Sequence, residues 1–71
     1  MIEAEELFKR AREYQRSSAL KINLWQALWA QLDEIVYYGG ARIRFDGKIY
    51  VIKTYYDAIS FLLEIYDAFK N

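Results

Sequence analysis

Hydrophobic and polar positions follow two different periods along this chain, and the change of period divides it into four segments. Apolar residues recur every three to four positions up to about residue 38, alternate with polar ones over residues 41–53, and then return to the first spacing. The first period is typical of an amphipathic helix and the second of a half-buried strand. The pattern predicts a small single α+β domain in the order helix, helix, β-hairpin, helix.

Two helices are predicted before the hairpin. The first covers residues 2–16, and its apolar positions are Ala4, Leu7, Phe8, Ala11 and Tyr14. The second covers residues 19–38, between a new N-cap at Ser17-Ser18 and a C-terminal cap at Gly39-Gly40. It is apolar on two sides, so we expect it to lie centrally between other elements. Its two stripes are Leu20, Leu24, Leu28, Leu32 and Ile35, and Ile22, Trp25, Trp29, Leu32 and Val36.

A β-hairpin is predicted over residues 41–53, because Asp46-Gly47 stands between alternating β-forming residues. A two-residue turn sets one register, and a bulged three-residue turn would set another. In the two-residue register, the pairs on the core face are Phe45 with Lys48, Ile43 with Tyr50, and Ala41 with Ile52. The opposite face then carries Arg42, Arg44, Ile49, Val51 and Lys53.

A third helix is predicted over residues 55–69. Thr54 precedes it and resembles the start of a capping box, with Asp57 in place of the usual glutamate. We expect its apolar stripe to face the core and its polar stripe to face solvent. The apolar stripe is Tyr55, Ile59, Leu62, Tyr66 and Phe69, widened by Phe61, Leu63 and Ala68. The polar stripe is Asp57, Ser60, Glu64, Asp67 and Asn71.

The composition excludes several classes of site. The 71 residues include no cysteine and no histidine, which excludes disulfides and thiolate metal sites and removes the commonest general base. We therefore expect no cofactor and no metal. The chain is nevertheless 55% hydrophobic, which is more apolar surface than a few short elements can cover. Small domains commonly gain stability by association, so we expect a ring or a dimer.

The ten basic and ten acidic residues cancel, which argues against a general nucleic-acid binder. No apolar run reaches the roughly 20 residues of a membrane span. Met1-Ile2-Glu3 leads directly into an acidic helix, so we expect no membrane contact, no secretory signal and a cytoplasmic location. Residues 42–53 carry four positive charges and one negative, whereas residues 54–71 carry one positive and three negative. This segregation favours head-to-tail contacts between copies, and it also fits an edge strand protected by cations.

The carboxylates do not form a catalytic pair in this reading. Glu64 and Asp67 share a solvated helix face, and the adjacent Asp33 and Glu34 point in different directions. Because their face is solvated, Glu64 and Asp67 should lack the raised pKa that a general acid needs. The sequence predicts a non-enzymatic interaction protein.

Aromatic residues and the hairpin supply the predicted contacts. Trp25 and Trp29 are four positions apart on one helix face, a spacing that favours a core or interface pair over a stacking platform for a base or sugar. Tyrosines bracket the hairpin and suit surfaces that are partly buried and partly wet. The predicted interaction residues are Trp25, Trp29, Tyr37, Tyr56, Arg42, Arg44, Ile49, Val51 and Lys53.

A helix that ends at glycine (residues 35–40), an Asp-Gly hairpin (residues 41–52) and a closing helix after Thr54 follow one another here. From about Leu24 to Phe69 this layout resembles the gpW family of tailed-phage head-completion proteins. The resemblance implies a virion component that assembles as a ring on the portal, with portal and tail proteins as partners. The contact face of the family's hairpin would fall on Arg42, Arg44, Ile49 and Val51.

Two expected features depart from that family: we expect an additional first helix, and we expect no flexible tail after the last helix to engage the next connector component. Residues 3–11 also have the regularity of computed designs, and the chain has no Cys, His or Pro. A de novo designed or orphan scaffold without a partner is therefore an alternative. A small regulator that grips nucleic acid or protein through the basic hairpin is another.

Overall fold

The computed structural model describes residues 1–70, with the side chains of residues 1–67. Its elements are β1 (Ile2–Glu3), α1 (Ala4–Ser17), α2 (Leu24–Tyr37), β2 (Ala41–Phe45), β3 (Lys48–Ile52) and α3 (Tyr55–Lys70). The order of helices and hairpin confirms the predicted α+β class. The predicted roles of the Ala68 and Phe69 side chains and of Asn71 lie outside the described residues.

The sheet contains a strand that the sequence pattern did not predict. β1 pairs with β2 in parallel, with Ile2 opposite Ile43 and Glu3 opposite Arg44, so the strand order is β1-β2-β3. Ile2, predicted as the first helical residue, is extended and packs partly buried against the core. The prediction was wrong at this residue because a two-residue strand has no period of its own. Its pairing with a distant strand decides its conformation.

α1 packs through the face that its spacing predicted. Ala4, Leu7, Phe8 and Ala11 are buried, whereas Tyr14 is exposed near the end of the helix. Phe8 contacts Phe45 of β2 edge-to-face, with 6.1 Å between ring centroids. The helix therefore covers one part of the sheet and, through the same face, packs on α2.

α2 begins at Leu24, not at Ala19 as predicted. The Asn23 side chain accepts a hydrogen bond from the Gln26 backbone at 2.8 Å, and the Gln26 side chain accepts one from the Asn23 backbone at 2.9 Å. This reciprocal capping box fixes the first turn. Leu20, which was assigned to a core-facing stripe, is 75% exposed in the preceding linker.

The middle of α2 is buried, and the helix packs against α1 and α3, as predicted for the central helix. Its buried residues are Ala27, Leu28 and Leu32. The helix ends at the two glycines: Gly40 N–H donates to the Ile35 carbonyl at 2.8 Å and Gly39 N–H donates to the Val36 carbonyl at 3.1 Å. These two bonds form a Schellman motif.

The hairpin has the register of the two-residue turn. Phe45 pairs with Lys48 across Asp46 and Gly47, whose φ angles of 53° and 76° are both left-handed, as a type I′ turn requires. The predicted core face is confirmed for five of its six residues, and the sixth, Lys48, is exposed beside the turn. Its buried members are Ile43 and Ile52, and its partly buried ones are Ala41, Phe45 and Tyr50.

The face that α3 turns to the core overlaps only in part with the predicted one, since Phe61 and Leu62 pack there as expected. Tyr55, Ile59 and Tyr66 were expected to be buried but are each between 45% and 48% exposed. Two of these three are tyrosines, whose hydroxyls would lose their hydrogen bonds to water in the core. The side chains that α3 buries in the core have no polar group. One of them, Phe61, packs against Tyr50 with 5.0 Å between ring centroids. The buried residues are Ala58, Phe61 and Ile65.

The start of α3 is as predicted. Thr54 Oγ1 accepts a hydrogen bond from the Asp57 backbone at 3.1 Å, and Asp57 Oδ2 accepts from the Thr54 backbone at 3.0 Å. Asp57 Oδ2 also accepts from the Lys53 backbone at 2.9 Å. The bond from the Lys53 backbone is the first cause that lowers the pKa of Asp57. The carboxylate therefore fixes the turn between β3 and α3.

Candidate interaction surfaces

Among the described residues, no group of three or more His, Cys, Asp or Glu side chains could hold a metal ion. The pKa of Glu64 is lowered, first by a hydrogen bond from Tyr50, which is the opposite of the shift a general acid needs. None of the described helices has the length and apolar character to cross a bilayer. Two of the apolar surfaces that the described chain exposes lie on the sheet and along α3.

The solvent-facing side of the sheet, here called the sheet face, has a small apolar centre with cations around it. Arg44 lies opposite Ile49 across the two strands, and Arg42 lies opposite Val51. Ile49 and Val51 are each 49% exposed. Lys53 continues the same alternation just after β3. The structure thus brings together the five residues that were predicted for the outer face of the hairpin.

Arg44 is held by the N-terminal strand. Its Nε lies 3.1 and 2.9 Å from the two carboxylate oxygens of Glu3, and its Nη2 bonds to one of the same oxygens. This two-point contact fixes the plane of the guanidinium. The hydrogen bond from Arg44 lowers the pKa of Glu3, and the bond to Glu3 raises the pKa of Arg44. Arg44 therefore ties β1 to the sheet, a role that local sequence did not predict.

Lys48 is also paired within the chain. Its Nζ lies 3.6 Å from a Glu64 carboxylate oxygen and 5.1 Å from the centre of the Tyr50 ring. The Tyr50 hydroxyl donates to Glu64, which is the first cause that raises the pKa of Tyr50. The contact joins the turn end of the hairpin to α3.

These pairs reduce the charge that the hairpin offers to a partner. Two of its four cations, Arg44 and Lys48, have acidic partners in the same molecule. Within the described part of the chain, no ion pair involves Arg42 or Lys53. Of these two pairs, Lys48 with Glu64 joins the basic segment (residues 42–53) to the acidic segment (residues 54–71), whereas the partner of Arg44 comes from β1.

The two tryptophans pack against α3 and are partly buried. Trp25 contacts Tyr66 with 5.3 Å between ring centroids, and Trp29 contacts Tyr55 at 6.2 Å. The Tyr55 hydroxyl donates to Asp33 on α2, which raises the pKa of Tyr55. Each tyrosine thus keeps its ring on α2 while its exposed side faces outward. The predicted tryptophan pair lies at the border of an exposed surface and not at its centre.

Among the described residues, the longest row of exposed large apolar side chains runs along α3. It is here called the α3 stripe and consists of Tyr55, Tyr56, Ile59, Leu63 and Tyr66. The exposed fractions of these side chains run from 45% to 78%. Their spacing of three, four and seven positions puts them on one side of a helix, next to the buried face that carries Phe61. Trp25 and Trp29 border the stripe on the α2 side.

Among the predicted interaction residues, Tyr56 belongs to the α3 stripe, whereas Tyr37 lies elsewhere. Tyr37 packs edge-to-face on Tyr38 with 5.0 Å between ring centroids, and both are exposed at the end of α2. The prediction missed Ile59 and Leu63 as surface residues, because it placed Ile59 in the core and Leu63 beside it. The sequence did give an indication of this surface. The apolar arc of α3 is too wide for one contact, and a helix with so wide an arc has more than one packing face.

No family model, no curated protein and no solved structure matches this chain.

Proposed function

We propose that this protein is a non-enzymatic structural protein that acts by self-association, with the α3 stripe as its main contact. The observation that carries this proposal is the exposure of five large apolar side chains in a row on one helix. Scattered exposed apolar residues need no explanation, but a contiguous row commonly marks an interaction site. The tyrosines add rings that are often central to protein contacts.

The size of the stripe supports a contact of its own. If each large side chain offers about 200 Å² when fully exposed, the exposed fractions amount to about 550 Å² per copy. Two copies covering each other would bury about 1,100 Å², which passes the roughly 1,000 Å² expected of a specific interface. The border residues Trp25 and Trp29 add to that area.

The biological setting that we propose is the one implied by the resemblance to the gpW family: a subunit of a phage head-to-tail connector. The hairpin between two helices, with its two-residue turn and solvent-facing arginines, supports it. Binding of the purified protein to a portal ring in sedimentation would be the direct test. Lack of binding would leave self-association in place but remove this setting.

A nucleic-acid-binding regulator is less well supported. Such a protein needs several cations free to contact phosphates, and Arg44 and Lys48 are engaged by Glu3 and Glu64. The remaining pair, Arg42 and Lys53, offers little charge for a phosphate backbone.

The experiment for self-association is light scattering at several concentrations on the wild type, Leu63→Glu and Leu20→Glu. Both variants replace an exposed leucine, at 64% and 75% exposure, but only Leu63 lies in the α3 stripe. We expect the wild type and Leu20→Glu to associate and Leu63→Glu to be monomeric, with unchanged circular dichroism in all three.

Two outcomes would contradict the proposal. A wild type that is monomeric at every concentration would rule out self-association and favour the designed-scaffold alternative. If Leu63→Glu assembled as well as Leu20→Glu, the contact would have to lie outside the α3 stripe.

A further inference from the structure

We infer that the α3 stripe is self-complementary: α3 of one copy pairs antiparallel with α3 of a second copy, about a two-fold axis between Ile59 and Leu63. This inference rests on the proposed self-association and specifies its partner surface and its symmetry. A contact of this kind uses the same patch on both copies and closes at a dimer, so a connector ring would need a second contact besides it.

The relative sizes of the two apolar surfaces favour this pairing over a helix-on-sheet contact. The apolar centre of the sheet face consists of Ile49 and Val51, each half exposed, which is at most about 200 Å². The α3 stripe is more than twice as large. A partner that offered only its sheet face would leave most of the stripe in water, whereas a second stripe matches it in length and width.

The order of side chains along α3 fits an antiparallel pairing. Ile59 and Leu63 are one turn apart at the middle of the stripe, and tyrosines stand at both ends. When the helices run in opposite directions, Ile59 meets Leu63 of the second copy. Tyr56 then lies near Tyr66 of the second copy, so aliphatic contacts fill the centre and rings close both ends.

The charges beside the stripe also distinguish the two directions. Asp67 lies exposed at the C-terminal end of the stripe, and Ser60 is the neutral residue beside its centre. In an antiparallel pair, Asp67 faces the end of the second helix that carries Tyr56, whose hydroxyl can donate to the carboxylate. In a parallel pair, the Asp67 carboxylates of the two copies would instead face each other. The two helix dipoles also oppose each other favourably in the antiparallel direction.

The chain has no cysteine, so single introduced cysteines report which positions meet. Tyr56→Cys and Asp67→Cys are mixed in equal amounts and oxidised, and the disulfide products are separated. Both positions are exposed, so the substitutions leave the core intact. We expect the mixed disulfide to exceed the one-half share that random pairing gives, because a disulfide requires Cα atoms within about 7 Å.

A control mixture combines Tyr56→Cys with Val51→Cys, and light scattering accompanies both mixtures. Predominance of the two homodimers in the first mixture would indicate parallel helices, and efficient bridging in the control would indicate a helix-on-sheet contact. Either result overturns the antiparallel pairing while self-association stands. A protein that remains monomeric at every concentration removes the proposed function itself.

Discussion

Glu3 illustrates how a single residue serves two elements. It stands at the N-cap position of α1, yet its side chain makes no capping bond and reaches Arg44 instead. Its partner is 41 positions away, so no local pattern predicts the pair. The sequence did predict Arg44 as a surface residue, but its contact with β1 depends on a strand that only the folded sheet defines.

The pairing of Glu3 predicts a specific pH dependence. Because Arg44 lowers the pKa of Glu3 below its usual 4.5, the carboxylate stabilises the fold above that value and loses this effect as the pH falls through the lower folded pKa. We expect Glu3→Gln to lose stability less steeply than the wild type between about pH 5 and pH 3. Urea midpoints at a series of pH values measure this slope.

Glu5→Gln is the matched control, since Glu5 lies in the next part of the chain and makes no ion pair among the described residues. Its acid slope should equal that of the wild type. Some slope remains in Glu3→Gln because the pKa values of Asp57 and Glu64 are lowered as well. Identical slopes for Glu3→Gln and the wild type would contradict a role for this pair in stability.

At the scale of the element, the hairpin could be predicted closely and α3 only in part. The turn residues Asp46 and Gly47 fix the register of the hairpin locally, and register fixes which face is buried. In α3, no local residue plays the part of the turn. Its apolar arc is wide enough for two faces, and packing against α2 and β3 decides which of them is buried. The prediction did not recognise the capping box of Asn23 and Gln26, because the apolar Leu20 extended the helical spacing to residues before it.

The selected face of α3 gives a second prediction. Phe61 is almost fully buried and contacts Tyr50, whereas Leu63 is 64% exposed. Phe61→Ala should lower the free energy of unfolding by about 3–5 kcal/mol, and Leu63→Ala should change that of the monomer by no more than about 0.5 kcal/mol. Urea unfolding of both at a concentration where the chain is monomeric makes the comparison. A reversed order would contradict the assignment of Phe61 to the buried face of α3 and of Leu63 to its exposed face.

The glycines after α2 give a third prediction. Both have positive φ, 101° at Gly39 and 96° at Gly40, but a Cβ on Gly40 would lie only 2.5 Å from the Ile52 carbonyl oxygen. A Cβ on Gly39 would meet nothing within 4 Å. Gly39→Ala should therefore cost about 1–2 kcal/mol from backbone strain alone, and Gly40→Ala distinctly more. Denaturant midpoints of the two variants make the comparison. Equal losses of stability would show that the close approach of β3 adds nothing to the cost at Gly40.

At the scale of the whole molecule, the protein is a flat body of 32 × 32 × 19 Å with its exposed apolar groups concentrated on α3. The surplus of apolar surface was predictable from composition. Its location was not, because it depends on which side of α3 the core takes. The sequence analysis predicted contacts mainly on the hairpin and the tryptophans. In the folded chain, the hairpin residues form the small sheet face, and the tryptophans lie at the border of the α3 stripe.

A fourth prediction concerns concentration. If two copies cover the α3 stripe, unfolding is coupled to dissociation and the melting temperature rises with protein concentration. Each tenfold increase contributes about 1.4 kcal/mol per dimer. Calorimetry of the wild type at two concentrations should show the rise, and Leu63→Glu should melt at the same temperature in both. A melting temperature of the wild type that ignores concentration would argue for a monomer.

The strand order has a consequence for how this chain avoids fibrils. β3 is an outermost strand, and an outermost strand offers backbone groups on which further chains can stack without limit. Here it has only five residues, and Lys48 and Lys53 stand at its two ends. Short length and lysine both discourage stacking. Because the edge of the sheet is protected in this way, the apolar face of the last helix can stay exposed in dilute solution. Association then stops at an assembly of finite size.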